Sequence, residues 1–583
     1  MDRTRITFLV IVGLAVLVAV AMAILWSDPK SSRQGGIVDT VVSVLPIQPD
    51  PVRVTIASSV TKQKWMEAVV EKFHGEGVKT TDGALVNVEV SGVLSGGSMW
   101  NILDDKLKPV AWSPGAVSWV EQFKERWSQA GRKTAVKSDC KPTIYSPIGL
   151  AMWRPMAEAL GWPDKPIGWQ TIVDLASDPQ GWARYGHPEW GALKLGHPHP
   201  KYSSAGMLYM TSFVYGLTGK TSGLGPDEIY TPEVETAMRA LAQNTSKYGM
   251  ISTDLLRQMA QNGPQFLHAV SAFEEGTVRL NLERGDELRW PVVFVFPSEG
   301  TFWSRHPYCV LDGADWVSEE QAEAAKLFLD YLLKEEQQAL AVQHLLRPLD
   351  ASIPIEAPLS LENGADPRVR LETVPALTPP DSRATAAIID QFMSTKRKST
   401  ILLVLDTSGS MAGAKIRAAT KATAEFLKRL HPGDEVGLMA FNDSVVKVMN
   451  VQQVSRVAED LSQKLLSLFA YGGTNLHVAV CDAMDTLKAE QNGDQTAGEN
   501  RLYGIVLLSD GADTKGAISE NRMFMECLPS TAEADGIKVF PIAFGAKANR
   551  STLGRIGTVS GGRIYEADEA SVERAYLRIS AEQ

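Results

Sequence analysis

The side chains with the clearest chemical potential follow a run of apolar residues in the last third of the chain. Residues 401–405 read Ile-Leu-Leu-Val-Leu, and Asp406, Ser408 and Ser410 come directly after them. Such a run predicts a strand buried on both faces, and the pattern from residue 414 to 430 predicts a helix. An acid and two hydroxyls on a strand-to-helix turn are hard oxygen donors of the kind that Mg²⁺ prefers.

Two further loops offer oxygen side chains that extend this donor set. Thr474 follows the turn at Gly472 and Gly473, and Asp510 follows a second apolar run at residues 505–508. One loop alone also fits an ordinary turn with a capping serine, but three loops at strand ends favour a ligand site. The sequence predicts a divalent-cation site, for Mg²⁺ with Mn²⁺ or Ca²⁺ as alternatives, built from Asp406, Ser408, Ser410, Thr474 and Asp510.

The pattern Asp-x-Ser-x-Ser, followed by a distant Thr and a distant Asp, resembles the metal-ion-dependent adhesion site of the von Willebrand factor type A family. The resemblance covers roughly residues 395–583 and implies a doubly wound, Rossmann-like α/β domain. It implies that Ser408, Ser410 and Thr474 contact the metal directly, and that Asp406 and Asp510 act mainly through bound water. It also implies an open metal position for an acidic side chain on a protein partner.

Size, charge and cysteine content limit the other function classes. A chain of 583 residues is too long for one core, so several domains are expected. The net charge is −10 and no basic run offers a nucleic-acid footprint, so no nucleic-acid partner is expected. The four cysteines contain no Cys-x-x-Cys pair and do not indicate a disulfide scaffold or a zinc site. Cys140 and Cys309 would pair in an exported domain, or would otherwise remain buried thiols.

The amino terminus predicts a membrane anchor. Residues 6–26 carry no charge, follow Arg3 and Arg5, and end at a tryptophan. At about 1.5 Å per residue they span a hydrocarbon core of about 30 Å. A cleaved signal peptide ending at residues 21–23 is the alternative, but the apolar run continues past that point. Residues 28–51 are predicted to form a linker that tethers the following domain to this segment.

The middle of the chain predicts a second α/β region that binds a small ligand. Strand and helix patterns alternate, and serine-rich loops stand where helices begin, which suits an oxyanion or another polar solute. Ordinary helix capping is the simpler explanation for each loop alone. The six candidate ligand-binding residues are Ser58, Ser59, Ser95, Tyr145, Ser203 and Ser204.

The order of these features over roughly residues 52–352 resembles the two-lobed bacterial extracellular solute-binding proteins. Residues 143–153 look like the crossover strand into the second lobe, and residues 306–312 look like the strand that returns. The resemblance implies a periplasmic-binding-protein-like fold that holds its ligand between two lobes and closes by a hinge.

These features predict five segments and one leading function. The segments are 1–27, transmembrane anchor; 28–51, linker; 52–352, solute-binding domain; 353–394, linker and helix; and 395–583, type A domain. The predicted protein is a single-pass membrane protein of a bacterial cell envelope, with the bulk of the chain on the extracytoplasmic side. It would bind a protein partner through the metal and a small solute through the middle domain, without catalysis. The alternatives are the solute receptor of an ABC-type transport system and, less favoured, a metal-assisted hydrolase using His477.

Overall fold

The computed structural model of the chain describes residues 49–582. The predicted transmembrane helix at residues 6–26 lies outside the described residues, as does nearly all of the predicted tether. Within the described range, none of the helices combines the length and the apolar character needed to cross a membrane.

The first domain is a mixed sheet with helices packed on its faces. Its strands are β1 Val52–Ser59, β2 Val86–Val93, β3 Ala111–Ser113, β4 Lys141–Trp153, β5 Leu195–Pro198, β6 Thr245–Gly249, β7 Ala269–Phe273, β8 Val292–Val295 and β9 Trp303–Val310. The strand order is β2-β1-β3-β9-β4-β7-β5-β6, and β8 pairs with β4.

The helices of the first domain alternate with these strands. They are α1 Gln63–Glu76, α2 Ser95–Leu103, α3 Val117–Gln129, α4 Arg154–Leu160, α5 Trp169–Ser177, α6 Ser204–Thr218, α7 Pro226–Ile229, α8 Pro232–Gln243, α9 Ser252–Asn262, α10 Glu274–Arg284, α11 Glu319–Leu332 and α12 Glu335–Gln343. This alternation is the α/β arrangement that the sequence pattern predicts.

Two long strands divide this sheet into two lobes. The first half of β4 pairs with β9, and its second half pairs with β7 and β8. We call β1–β3 with their helices lobe one, and β5–β8 with theirs lobe two. The strand β4 therefore runs from one lobe into the other, as the crossover pattern predicts, and β9 runs back.

The carboxyl-terminal domain is built on a six-stranded sheet in the order β12-β11-β10-β13-β14-β15. All neighbours are parallel except β12, which pairs antiparallel with β11 at the edge. Its strands are β10 Ser399–Asp406, β11 Glu435–Phe441, β12 Val445–Gln453, β13 Leu502–Ser509, β14 Lys538–Phe544 and β15 Tyr565–Ala567. Every residue of β10, β13 and β14 is buried, which explains their continuous apolar sequences.

Helices cover both faces of the second sheet, and one further helix connects the domains. They are α13 Ser382–Thr395, α14 Ala414–Leu427, α15 Val454–Leu466, α16 Leu476–Ala497, α17 Glu520–Glu526, α18 Arg550–Val559 and α19 Val572–Ser580. The sequence predicts a helix over residues 520–535, but the observed helix α17 is shorter. The observed helix α17 ends before Pro529, whose ring and missing N–H oppose its continuation.

The two domains are joined by a buried contact on lobe two. Phe392 of α13 is buried against His199 and Tyr248, with ring centroids 5.0 and 5.8 Å away. Lys247 of β6 forms a fully buried ion pair with Glu582, with 2.6 Å between Nζ and Oε2. Arg563 contacts both Glu582 and Asp254, so acids and bases of both domains meet in one network.

This contact uses the amino-terminal side of the second sheet. Arg563 lies two residues before the start of β15, and Leu502 at the start of β13 belongs to the core of lobe two. The carboxyl ends of the strands therefore lie at the opposite edge. An eight-residue strand such as β10 places that edge about 25 Å away.

The structure corrects the reading of the cysteines. Cys140 pairs with Cys309, and Cys481 pairs with Cys527, so each domain holds one disulfide. The first pair is one of the two alternatives that the sequence leaves open. The second is unexpected, because Cys481 and Cys527 are far apart in sequence and adjoin only once α16 and α17 pack together.

Candidate functional site

The carboxyl end of β10 places a buried acid beneath the first loop of the second domain. Asp406 is the last residue of β10; its Oδ1 accepts a hydrogen bond of 2.8 Å from the Ser408 N–H, and its Oδ2 accepts one of 2.7 Å from Ser509 Oγ. Burial raises the pKa of the Asp406 carboxyl, although both hydrogen bonds favour its charged form. A cation beside this carboxylate would offset the same desolvation.

Two hydroxyls and a second acid lie directly above it. Ser408 Oγ is 3.0 Å from Ser410 Oγ, and Ser410 Oγ donates a 2.6 Å hydrogen bond to Asp510 Oδ1. The other oxygen of Asp510 forms an ion pair with Lys415. Residues from the ends of β10 and β13 are thus in direct contact, although they are far apart in sequence.

The loop that carries Thr474 closes against the first loop through its backbone. The Gly409 N–H donates a 2.9 Å hydrogen bond to the Gly472 carbonyl, and Gly472 has a φ of +75°, a left-handed conformation that favours glycine. The Thr474 N–H donates to Thr514 Oγ1 at 2.8 Å, which ties it to the loop after Asp510. All five predicted metal-site residues therefore lie at one edge of the sheet.

The chemistry of these residues fits a small, hard cation. The donors are hydroxyl and carboxylate oxygens, which suit Mg²⁺. Within residues 49–582, no cluster of three or more His, Cys, Asp or Glu side chains suits a metal, so the serine and threonine hydroxyls are what define this site. Ser408, Ser410 and Thr474 would be the direct ligands. Asp406 and Asp510 would act through water. The bound cation would supply the positive charge that attracts an acidic group.

Two residues of this site do not stand out in the sequence. Ser509 bonds to Asp406, and Lys415 neutralises one oxygen of Asp510. Ser509 has a weak signal, because it directly precedes Asp510 at a strand end. Lys415 is the second residue of α14 and looks like an ordinary surface lysine, so only the tertiary structure, which brings the start of α14 to the loop after β13, reveals its contact.

The predicted solute site has one coherent part in lobe one. Ser95 Oγ accepts a 3.0 Å hydrogen bond from the Gly115 N–H, and Ser304 Oγ donates a 2.6 Å bond to the Gly115 carbonyl. A Cβ on Gly115 would lie 3.2 Å from Ser59 Oγ and 3.6 Å from Ser95 Oγ. Ser59 and Ser95 therefore face the same short stretch of backbone at the ends of β1 and β3.

A buried lysine lies behind these serines. Lys62 is completely buried, and its Nζ donates to the Ser113 and Pro114 carbonyls at 2.8 and 3.3 Å and lies 3.3 Å from His306 Nδ1. Burial lowers the pKa of Lys62. Ser58, paired with Ser113 across β1 and β3, has a buried hydroxyl without a hydrogen-bond partner among the described residues. Burial therefore disfavours the charged form of Lys62, and this end of lobe one offers hydroxyl groups to a polar ligand.

The remaining solute-site candidates do not join this group. The Tyr145 ring packs against Trp303, with centroids 6.1 Å apart, and its backbone pairs with Arg347. Ser203 bonds through its backbone to His199 and Met207, within lobe two. Ser204 is the first residue of α6.

The architecture defines the class of protein: a two-lobed ligand-binding domain followed by a Rossmann-like domain with oxygen donors at its carboxyl edge. The family comparisons name both parts. Residues 54–344 match the bacterial extracellular solute-binding protein family, and residues 400–576 match the von Willebrand factor type A domain. The chain therefore carries a bacterial extracellular solute-binding domain and a von Willebrand factor type A domain, as the sequence resemblance predicts.

The curated relatives align with less than a third of the chain. Inter-alpha-trypsin inhibitor heavy chain H4 from Bos taurus is 26% identical over 178 residues, covering 30% of this chain and 19% of the relative. Heavy chain H1 from Sus scrofa is 28% identical over 131 residues, covering 22% and 14%. The chain thus spans less than a fifth of the length of these relatives.

Solved structures resemble each domain. The sulfate-binding protein SubI from Mycobacterium tuberculosis H37Rv has 16% identity and a TM-score of 0.36, over 52% of this chain and 88% of that one. Iron-bound HitA from Pseudomonas aeruginosa has 15% identity and a TM-score of 0.39, over 59% and 99%. A von Willebrand factor type A protein from Catenulispora acidiphila has 16% identity and a TM-score of 0.27, over 32% and 42%. The family assignment itself rests on the two family matches.

Proposed function

We propose that this protein is a membrane-anchored, extracytoplasmic binding protein that grips an acidic side chain of a protein partner through a metal ion. The observation that carries the proposal is the direct contact of Ser408, Ser410 and Asp510 above Asp406. These side chains form an oxygen-only donor set for Mg²⁺, or for Mn²⁺ or Ca²⁺. Such a cation would bind a carboxylate from a partner at its open position.

The location of the site supports a role in protein binding. The second domain packs on lobe two through the amino-terminal side of its sheet, while the candidate metal loops lie at the carboxyl side. A partner can therefore approach the loops without displacing the first domain. The same reasoning favours a contact between proteins over an internal role for the metal.

An extracytoplasmic location is supported by the cysteines as well as by the apolar segment at residues 6–26. All four cysteines are paired in the structure, and disulfides persist mainly in oxidising compartments. The single-pass topology and the envelope location are part of this proposal.

The first domain is proposed to bind a small anionic solute. The hydroxyls of Ser59 and Ser95 beside Gly115, and the buried Ser58 hydroxyl that has no partner within residues 49–582, can donate hydrogen bonds to an oxyanion. The match of residues 54–344 to solute-binding proteins also supports a second candidate function, the solute receptor of an ABC-type transport system. In that case a solute would bind tightly and Mg²⁺ would be dispensable.

We infer that the protein binds without catalysis, since solute-binding and type A domains are typically non-catalytic. His477, the residue considered as a base, has its Nδ1 3.0 Å from the Ile518 carbonyl and lies near Asp513. Its contacts tie the start of α16 to the loop after Asp510, which is a structural role.

Titration calorimetry of the full chain with Mg²⁺ tests the metal site. We expect heat from one site in the wild type and none from the double variant Ser408→Ala, Ser410→Ala. Thr496→Ala, which removes an exposed hydroxyl elsewhere in the same domain, should behave like the wild type. Equal heats from the wild type and the double variant would refute the proposal, as would a wild type that gives no heat.

A further inference from the structure

An exposed apolar surface adjoins the candidate metal site. Leu466, Phe469 and Tyr471 are 61%, 69% and 53% exposed, and we call them the rim surface. The Phe469 and Tyr471 rings stack at 5.3 Å between centroids. Their neighbours Leu468 and Ala470 pack against the core. Residues therefore alternate along this segment: Leu468 and Ala470 face the core, while the rings of Phe469 and Tyr471 lie in solvent.

The rim surface is continuous with the metal loops. The Tyr471 N–H donates a 2.8 Å hydrogen bond to the Thr407 carbonyl, next to Ser408. The following residue, Gly472, accepts from the Gly409 N–H at 2.9 Å. Tyr471 is thus fixed to the loop that holds both metal-site serines, and its ring stands at the edge of that loop. Large apolar side chains exposed together beside a polar site mark an interaction surface.

The charges around the loops leave an excess of acid. Asp510 pairs with Lys415 and Asp443 pairs with Lys515 at 2.5 Å, whereas within residues 49–582 no lysine or arginine pairs with Asp406 or Asp513. These four acids and two lysines sum to two negative charges. A bound divalent cation would neutralise this excess, so a partner's carboxylate could approach the loops without repulsion.

We propose that the rim surface binds a large apolar side chain that adjoins the metal-bound acid of a protein partner. The recognised element would be an aspartate or glutamate with a bulky apolar residue two positions away in an extended segment. Side chains two residues apart lie on the same face of such a segment, about 6.6 Å from each other, so the apolar side chain can face the rim surface while the acid faces the metal. The inference rests on the proposed function, because it assumes that the metal binds the acid.

Short fluorescent peptides test this preference with the full chain in Mg²⁺ and in EDTA. One peptide carries a single aspartate among glycines, a second carries the sequence Asp-Gly-Phe among glycines, and a third carries Asn-Gly-Phe among glycines. We expect the second to bind at least about tenfold more tightly than the first, because it buries an aromatic side chain. The third peptide, and every peptide in EDTA, should bind poorly.

The variant Phe469→Ser, Tyr471→Ser should lose this tenfold preference and keep the heat of Mg²⁺ binding. Met525→Ser removes another exposed apolar side chain, on α17, and should keep the preference. Equal binding of the first two peptides, or a preference that survives the double variant, would overturn this inference and leave the metal proposal standing. Absence of Mg²⁺-dependent binding by both acidic peptides would overturn both.

Discussion

The two candidate sites of this protein differ in how their residues come together. At the edge of the second sheet, Ser408, Ser410 and Asp510 contact one another directly. In the first domain only Ser59 and Ser95 share a neighbour, Gly115. Parallel strands have their carboxyl ends at one edge of the sheet, so the loops that follow neighbouring strands lie next to each other. A cleft between two lobes has no such rule, because its walls come from separate parts of the chain.

The sites also differ in charge. The metal loops hold two buried acids with one lysine, whereas the loops of lobe one present serine hydroxyls in front of the fully buried Lys62, whose Nζ is bonded to two carbonyls. The first arrangement would be stabilised by an added cation, and the second offers hydroxyl donors to a polar solute. One chain thus contains two candidate binding regions of different electrostatic character.

The variant with the largest expected effect, Glu582→Gln, tests whether the candidate metal site depends on the contact between the two domains. Glu582→Gln leaves Lys247 buried without its charged partner, which should lower the unfolding free energy of the interdomain contact by about 3–5 kcal/mol. Calorimetric unfolding should show the domains melting at more separate temperatures. Mg²⁺ binding should persist, because the metal loops lie at the opposite edge of the sheet.

The pH dependence of this variant gives a second measurement. Burial opposes the charge of Glu582, but Lys247 and Arg563 outweigh it and lower its pKa below the ordinary 4.5. The stability from this carboxylate is therefore present above pH 4.5 and is lost as the pH falls through the folded value. Wild type and variant should converge in acid. Glu566→Gln, which breaks an exposed pair with Arg550, should change stability by less than about 1 kcal/mol.

An intermediate effect is expected from Asp406→Asn. The amide keeps the shape of the side chain but removes the charge beneath the metal, so Mg²⁺ affinity should fall by about 10- to 100-fold. Asp434→Asn makes the same change at a buried acid that bonds to Ser399 at the start of β10, and should leave Mg²⁺ affinity unchanged. Titration calorimetry measures both. Equal losses in the two variants would show that the effect comes from folding and not from the site.

The smallest effect is expected in the solute site. Ser59→Ala with Ser95→Ala should weaken sulfate binding by about tenfold, since two lost hydrogen bonds at about 0.7 kcal/mol each sum to about 1.4 kcal/mol. Tyr145→Phe should change nothing, because that ring packs against Trp303. Sulfate and phosphate titrations of the full chain measure this. A wild type that binds neither anion would contradict the anionic preference and would leave the metal site as the better supported of the two.

Much of the fold is predictable from local pattern. The apolar runs at residues 401–405 and 505–508 predict the buried strands β10 and β13. The length and position of its apolar stretch predict the crossover strand β4. The helix predicted over residues 520–535 fails at Pro529, a local signal that the apolar periodicity obscured. The environment of Tyr145 could not be predicted, because a one-residue alternation decides which face of a strand a side chain takes.

The sequence by itself determined the two fold families and proposed the five oxygen side chains of the candidate metal site, since residue type and strand-end position are local properties. Only the tertiary structure decided that Lys415 neutralises Asp510, that Cys481 pairs with Cys527, and that the second domain packs on lobe two through Lys247 and Glu582. These contacts join residues distant in the chain. Their formation depends on how whole helices and sheets pack, which no short stretch of sequence encodes.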